Sequence, residues 1–233
     1  MSTQVDHLVV LAASLDQGVA WCEATLGITP GPGGEHPLMG THNRLFSIAT
    51  PAFLNAYFEL IAINSGASHA RPAGARRWFD TDDPALQRRV ARLGPQLIHF
   101  VARVPDLQAS VAQLARQGLN RGRVLQASRR TDRGLLQWQI GVRDDGQRLF
   151  DGCLPTLIQW GEVHPTQHMP PSGVALQALR VSHRQADALQ AAYRAIGLDP
   201  VMVRAGPARI TAQLQTPKGL VELCSTSDLR LPS

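Results

Sequence analysis

Apolar and polar positions follow the same course three times along the chain. Each pass reads apolar strand, amphipathic helix ending in glycine, further strands, then a last apolar strand. The first runs from Val5-Asp6-His7-Leu8-Val9-Val10 through Leu15 to Gly27 and closes on Tyr57-Phe58-Glu59-Leu60-Ile61-Ala62. The second runs from Leu97-Ile98-His99-Phe100-Val101-Ala102 through Leu107 to Gly118 and closes on Leu154 to Trp160. The third runs from Leu176 to Val181, through Gln185 to Gly197, and closes on Gly219 to Cys224. The spacing predicts helices over 15–27, 107–117 and 185–196, each stopped by a glycine suited to a left-handed cap. Ser14 or Asp16 can open the first, and Pro105-Asp106 precedes the second. The expected organisation is α+β. Three β-α-β-β-β modules fall at 1–65, 95–163 and 174–228, with a linker over 66–94 in which a short turn docks Trp78 and Phe79. Thr29 to Gly40, with three prolines and four glycines, reads as a loop.

Repetition makes positions equivalent. It sets His7 opposite His99 and Glu59 opposite Glu222. Laying Tyr57-Phe58-Glu59 on Leu154-Pro155-Thr156 puts Thr156 at the place of Glu59 in the second module.

Composition narrows the setting. An apolar share of 44% and a charged share of 18% are ordinary for a globular chain, and no apolar run has the length of a membrane helix. The amino terminus enters a strand at once, which predicts no signal peptide. Three distant cysteines, Cys22, Cys153 and Cys224, suggest reduced thiols and a cytoplasmic protein. The net charge of +5 is carried almost wholly by arginine, most densely at Arg116, Arg121, Arg123, Arg129, Arg130 and Arg133. These read as solvated surface or as an anion-binding patch. A nucleic-acid face is not expected, because no aromatic interleaving or reading module accompanies them. No nucleophile elbow, P-loop or dinucleotide fingerprint is present.

The chain resembles the glyoxalase-like domain proteins of the vicinal oxygen chelate superfamily, which also holds extradiol dioxygenases and bleomycin-resistance proteins. The resemblance rests on Asp6-His7-Leu8-Val9-Val10, Leu26-Gly27, Pro32-Gly33-Gly34, His36-Pro37, Gly40-Thr41-His42-Asn43-Arg44-Leu45 and Tyr57-Phe58-Glu59-Leu60-Ile61-Ala62. It continues more loosely through Arg77-Trp78-Phe79 and Leu154 to His164-Pro165. It implies paired modules forming one open barrel around a site, with a third module that continues the sheet, packs across the barrel or mediates a homodimer.

In metal-dependent members, ligands come from first and last strands. Carried over, these are His7, His99 and Glu59, with Thr156 a poor fourth. Two imidazoles and a carboxylate suit one divalent transition metal (Fe, Mn, Ni or Zn) with open positions for an oxygenated substrate. The same residues also suit a metal-free polar pocket, or a structural role with His7 bonded to Asp6 or Glu59. Glu59 and His42 are the expected catalytic groups. Arg44, Asn43, His36 and His164 are the expected substrate-binding residues; His42 and Arg44 face the cavity if Leu45 faces the helices. His69 and His183 read as surface, and Trp138, Trp160 and Phe150 as core. The function implied is a lyase, isomerase or dioxygenase acting on a small oxygenated metabolite, or a small-molecule binder that sequesters without turnover.

Overall fold

The computed structural model describes residues 2–66, 74–131 and 134–225; His69 and Arg133 lie outside them. The first module is β1 (Gln4–Leu11), α1 (Leu15–Thr25), β2 (Glu35–His36), β3 (Thr41–Ser47) and β4 (Tyr57–Ile63). A helix, α2 (Pro84–Leu93), follows in the stretch read as a linker. The second module is β5 (Gln96–Arg103), α3 (Leu107–Ala115), β6 (Arg123–Thr131), β7 (Gly134–Val142) and β8 (Thr156–Trp160). The third is β9 (Ala175–His183), α4 (Ala186–Ala195), β10 (Met202–Ala205), β11 (Arg209–Thr216) and β12 (Gly219–Cys224).

Local chemistry explains the helix ends. The Ser14 hydroxyl accepts from the Gln17 N–H, the Asp83 carboxylate from Ala85 and the Asp106 carboxylate from Ala109. Pro84 occupies the first turn of α2, where a missing N–H costs nothing. Leu86 and Val90, one turn apart on α2, are its buried residues.

The first two modules share one curled eight-stranded sheet of order β2-β3-β4-β1-β5-β8-β7-β6, joined at the antiparallel β1–β5 pair. In both, the first strand lies parallel to the last, β1 with β4 and β5 with β8. Val9 stands opposite Glu59 as Val101 stands opposite Thr156. The two halves are therefore in register with one another, and Thr156 occupies the place of Glu59.

Alternation sends the two faces of this sheet into two cores. Leu8, Val10, Phe58, Leu60, Phe100 and Ala102 join Leu26, Leu107 and Leu114 on the helix side. Val9, Leu11, Ile61, Val101, Ile140 and Ile158 line the inner face, where Trp78, Phe79, Leu86 and Val90 pack on them. Each such side chain, fully buried, stabilises by about 1.5–3 kcal/mol. The turn at Trp78–Asp80 and helix α2 thus fill much of the barrel interior. Phe79 takes φ 59° to do so, a left-handed conformation held in place by burial.

The third module departs from the pattern. Its sheet has the order β10-β9-β11-β12, with β10 parallel to β9 as in an ordinary β-α-β crossover. The last strand lies at the edge, away from the first, so Glu222 is not placed like Glu59. It is exposed, and the Gln213 amide donates to it at 3.1 Å. Leu176, Leu179, Val181, Tyr193 and Ile210 belong to the helix-side core. The module therefore backs the large sheet and does not cross the barrel mouth. The Tyr193 hydroxyl donates to the Cys153 carbonyl at 2.5 Å, and the Leu176 N–H to the Ile48 carbonyl at 2.9 Å, tying it down.

Candidate functional site

The site begins at an irregularity in β1. A register shift between Val5 and His7 breaks the alternation, so that the neighbouring side chains Asp6 and His7 meet. Asp6 is fully buried and accepts three N–H groups: His7 Nδ1 at 2.7 Å, His164 Nε2 at 3.0 Å and Trp160 Nε1 at 3.1 Å. Burial by itself would raise the Asp6 carboxyl. The hydrogen bonds from His164 and His7, with the charges those rings can carry, outweigh it and hold the group well below the usual carboxylate range. The Thr166 N–H donates to His164 Nδ1 at 3.3 Å, which assigns the proton of that ring to Nε2.

With Nδ1 of His7 bonded to Asp6, its Nε2 faces the second carboxylate. Glu59 Oε2 lies 3.6 Å away, beyond hydrogen-bond distance. The Glu59 Oε1 accepts from Asn43 Nδ2 at 2.6 Å, while Asn43 Oδ1 accepts from the Gly34 N–H at 2.8 Å, which fixes the amide's orientation. His36 Nε2 lies 3.9 Å from Glu59 Oε1. Burial, opposed by Glu59 and reinforced by Arg129, brings the His36 imidazole down to about 4, so it is neutral near pH 7. The Tyr57 ring stacks on His7 at 4.4 Å, and Trp78 meets His36 edge-on at 5.0 Å. Tyr57 sits directly opposite His7 in the β1–β4 pair.

A groove of about 830 Å³ lies along the glycine-rich loop, lined among others by Gly33, Gly34, Leu45, Arg129, Leu136 and Met169. The glycine-rich loop allows the close approach. A Cβ on Gly33 would stand 2.0 Å from the Asn43 carbonyl oxygen, and one on Gly34 2.0 Å from Arg129 Nη1. Arg129 thus packs against Gly34, whose carbonyl accepts from the Asn43 N–H, and lines the groove.

The structure brings His7, Glu59, Asn43, His36 and His164 together and leaves three expected residues elsewhere. Leu45 pairs with Glu59 across β3–β4, so Leu45 shares the inner face. His42 and Arg44, paired with Ala62 and Leu60, turn to the α1 side. Leu45 is buried on a sheet with cores on both faces, so its hydrophobicity does not tell which side it takes. His99 is also apart from the pair. Its Nδ1 donates to the Gly152 carbonyl at 2.8 Å and its Nε2 accepts from the Thr156 N–H at 3.1 Å. Burial, with the Arg121 and Arg148 charges, pushes its imidazole well down.

Members of the superfamily commonly bind divalent metals. The donor set expected for one here, His7, Glu59 and His99, is not assembled, because both ring nitrogens of His99 are spent on the backbone. Among the described residues no group of three or more His, Cys, Asp or Glu could hold a metal ion. His183, expected at the surface, is buried and meets Asp151 at 3.2 Å. Two contributors were missed: Trp160, read as core, and Arg129, read with the surface arginines. Their neighbours in space come from distant segments, and no local signal marks them.

The chain belongs to the glyoxalase-like domain family, whose model matches residues 5–197, within the vicinal oxygen chelate superfamily. It is similar to a hypothetical protein from Staphylococcus aureus over 98% of this chain and 87% of that one, at 16% identity and a TM-score of 0.56. It also matches Streptomyces coelicolor methylmalonyl-CoA epimerase in complex with 2-nitronate-propionyl-CoA, at 18% identity and a TM-score of 0.40, over 69% and 94% of the two chains. The Mycobacterium tuberculosis epimerase matches at 17% and 0.39, over 69% and 89%. No curated protein matches the chain. The first likeness supports the fold; the two epimerase likenesses carry no argument about chemistry. No helix among the described residues is long and apolar enough to cross a membrane.

Proposed function

We propose that the protein is an enzyme that moves a proton on a small oxygenated metabolite, a lyase or isomerase, with His7 and Glu59 as the proton-handling pair. The observation that carries this reading is the row Asp6–His7···Glu59. A fully buried carboxylate orients a histidine whose free nitrogen faces a second buried carboxylate across 3.6 Å. Held this close, an imidazole and a carboxylate can take a proton from substrate at one atom and return one from the other, the roles of a paired base and acid, with Asp6 fixing the orientation of the ring. Asn43 holds Glu59 in place, and neutral His36 keeps the second flank free of competing positive charge. Arg129, which lines the groove and whose charge reaches His36, suits an anionic substituent of the substrate. The dioxygenase branch of the family needs a redox metal, for which the donor set does not fit. Unpaired Cys22, Cys153 and Cys224 support a reducing, cytoplasmic setting; burial pushes the first two thiols up to about 12, so neither is a nucleophile.

The test is proton exchange. Wild-type protein in D₂O, incubated with a panel of α-hydroxy ketones and α-hydroxy aldehydes, should wash out the α-proton of at least one compound by NMR. His7→Gln and Glu59→Gln should abolish the washout. A second reading, binding without turnover, is favoured by the size of the groove, which lies within the range of small-molecule sites. Calorimetric binding of a panel compound with no exchange would establish it at the expense of the first.

A further inference from the structure

We propose that the second half of the barrel holds a halide-sized anion, bound by Arg121 and Trp78 in a small cavity whose lining does not include His7 or Glu59. Arg121 is 2% exposed. One of its nitrogens, Nη2, donates to the Thr156 hydroxyl at 2.7 Å; Nε and Nη1 are buried without any partner. Trp78 has its indole N–H buried without an acceptor as well. Both residues line one cavity of about 10 Å³, with Phe79, Gly141, Thr156 and Gln147 among the remaining walls. Three unsatisfied donors on two residues that line one small space are what an anion site requires.

The neighbouring carboxylates are all engaged. Asp145 pairs with Arg143, Asp80 with Arg148 and Asp144 with Arg123. His99 beside Thr156 is neutral, since its Nε2 accepts from the Thr156 N–H. Burial and the Arg143 charge lower Arg121 only to about 10, so its guanidinium stays charged at neutral pH. A buried cation without a counter-charge is strongly unfavourable. The volume limits the occupant to one small ion or molecule and excludes a metabolite. Chemistry favours an anion over water. A water accepts from two donors at most and has two protons of its own to place. A halide accepts from all three N–H groups and cancels the charge. Gln147 and Arg143 at the outer wall are solvent-accessible, which gives the ion an entry path.

Thermal melting in sodium chloride or bromide, against sodium gluconate at the same ionic strength, tests the site. Wild type should show a saturating rise in Tm with either halide and none with gluconate, because an ion bound only to the folded state stabilises by mass action. Arg121→Met should lose the halide response and, in gluconate, melt above wild type. Absence of a halide-specific rise in wild type overturns the site, and so does an unchanged rise in Arg121→Met. If Arg121→Met fails to fold, Trp78→Phe decides, because it keeps the ring and removes one donor. A halide response as strong as that of wild type would then overturn the proposal. None of these readings depends on proton exchange at His7 and Glu59.

Discussion

The two halves of the eight-stranded sheet share a register and differ in charge. In the first, β1 and β4 bring His7 beside Glu59, and the site is built from buried carboxylates and imidazoles. In the second, β5 and β8 bring His99 beside Thr156, and the Arg121 cation donates to the Thr156 hydroxyl. Replacement of one carboxylate by a hydroxyl alters what can gather there. A carboxylate at position 59 leaves its histidine neighbour facing a proton acceptor. A hydroxyl at position 156 satisfies its histidine and lets a guanidinium settle in. On the proposed readings, the same backbone offers proton chemistry on one side and an anion pocket on the other.

The largest expected difference between the halves is in turnover. Glu59→Gln should lower the exchange rate by about 10²–10⁴, the usual contribution of a positioned acid or base, with circular dichroism unchanged. Equal rates in wild type and Glu59→Gln would remove the functional asymmetry. Asp6→Asn comes next. It puts an amide N–H among three buried donors and should cost about 3–5 kcal/mol of stability by urea denaturation; a loss under about 1 kcal/mol would mean that Asp6 does not organise the first half.

Acid should act on both halves through neutral buried histidines. Unfolded His36 takes up a proton near 6.5 and folded His36 only near 4, so the unfolded state binds the extra proton between those values. Stability should therefore fall as pH drops from about 6.5 toward 4, by on the order of 3 kcal/mol for this group. His99 acts in the same direction. Asp6 acts in the same direction in a more acid window: its lowered carboxyl contributes stability that is kept above the ordinary Asp value near 3.8 and lost at more acid pH. Melting curves of His36→Gln and His99→Gln across this range should each be flatter than wild type. A wild-type slope retained in both would show that acid acts elsewhere.

Thr156→Val is a smaller perturbation. It removes the hydroxyl between His99 and Arg121 at almost constant volume, for about 1–3 kcal/mol, and should leave proton exchange intact. A parallel loss of exchange would couple the halves. The smallest effect is expected from Ni(II), Mn(II) or Zn(II) at pH 8, which should leave the wild-type Tm unchanged. A metal-specific rise that disappears in His7→Ala would restore a metal to the first half.

Much of this was legible from residues alone. Ser14, Asp106, Gly27 and Gly118 announce helix ends through chemistry confined to a few neighbours, and Trp78 and Phe79 dock as their aromatic bulk suggests. Helix α2 was not legible, because Leu86 and Val90 offer only a thin apolar stripe among arginines. His42 and Arg44 went to the wrong face because the inference depended on the side taken by Leu45, and both sides of that sheet are buried. The equivalence of Glu59 and Glu222 failed because similar strand order in sequence does not dictate which strands pair.

The sequence by itself determined the three-fold repetition, the elements within each repeat and the candidacy of His7 and Glu59, since these follow from periods of two and 3.6 residues and from nearest-neighbour chemistry. Tertiary structure alone decided that His99 turns to Gly152, that Asp6 gathers His164 and Trp160 from more than 150 positions away, and that Arg121 is enclosed with its charge unmatched. Those outcomes depend on strand pairing and on the packing of α2 into the barrel. Both are set by contacts between residues far apart in the chain, and no local pattern encodes them.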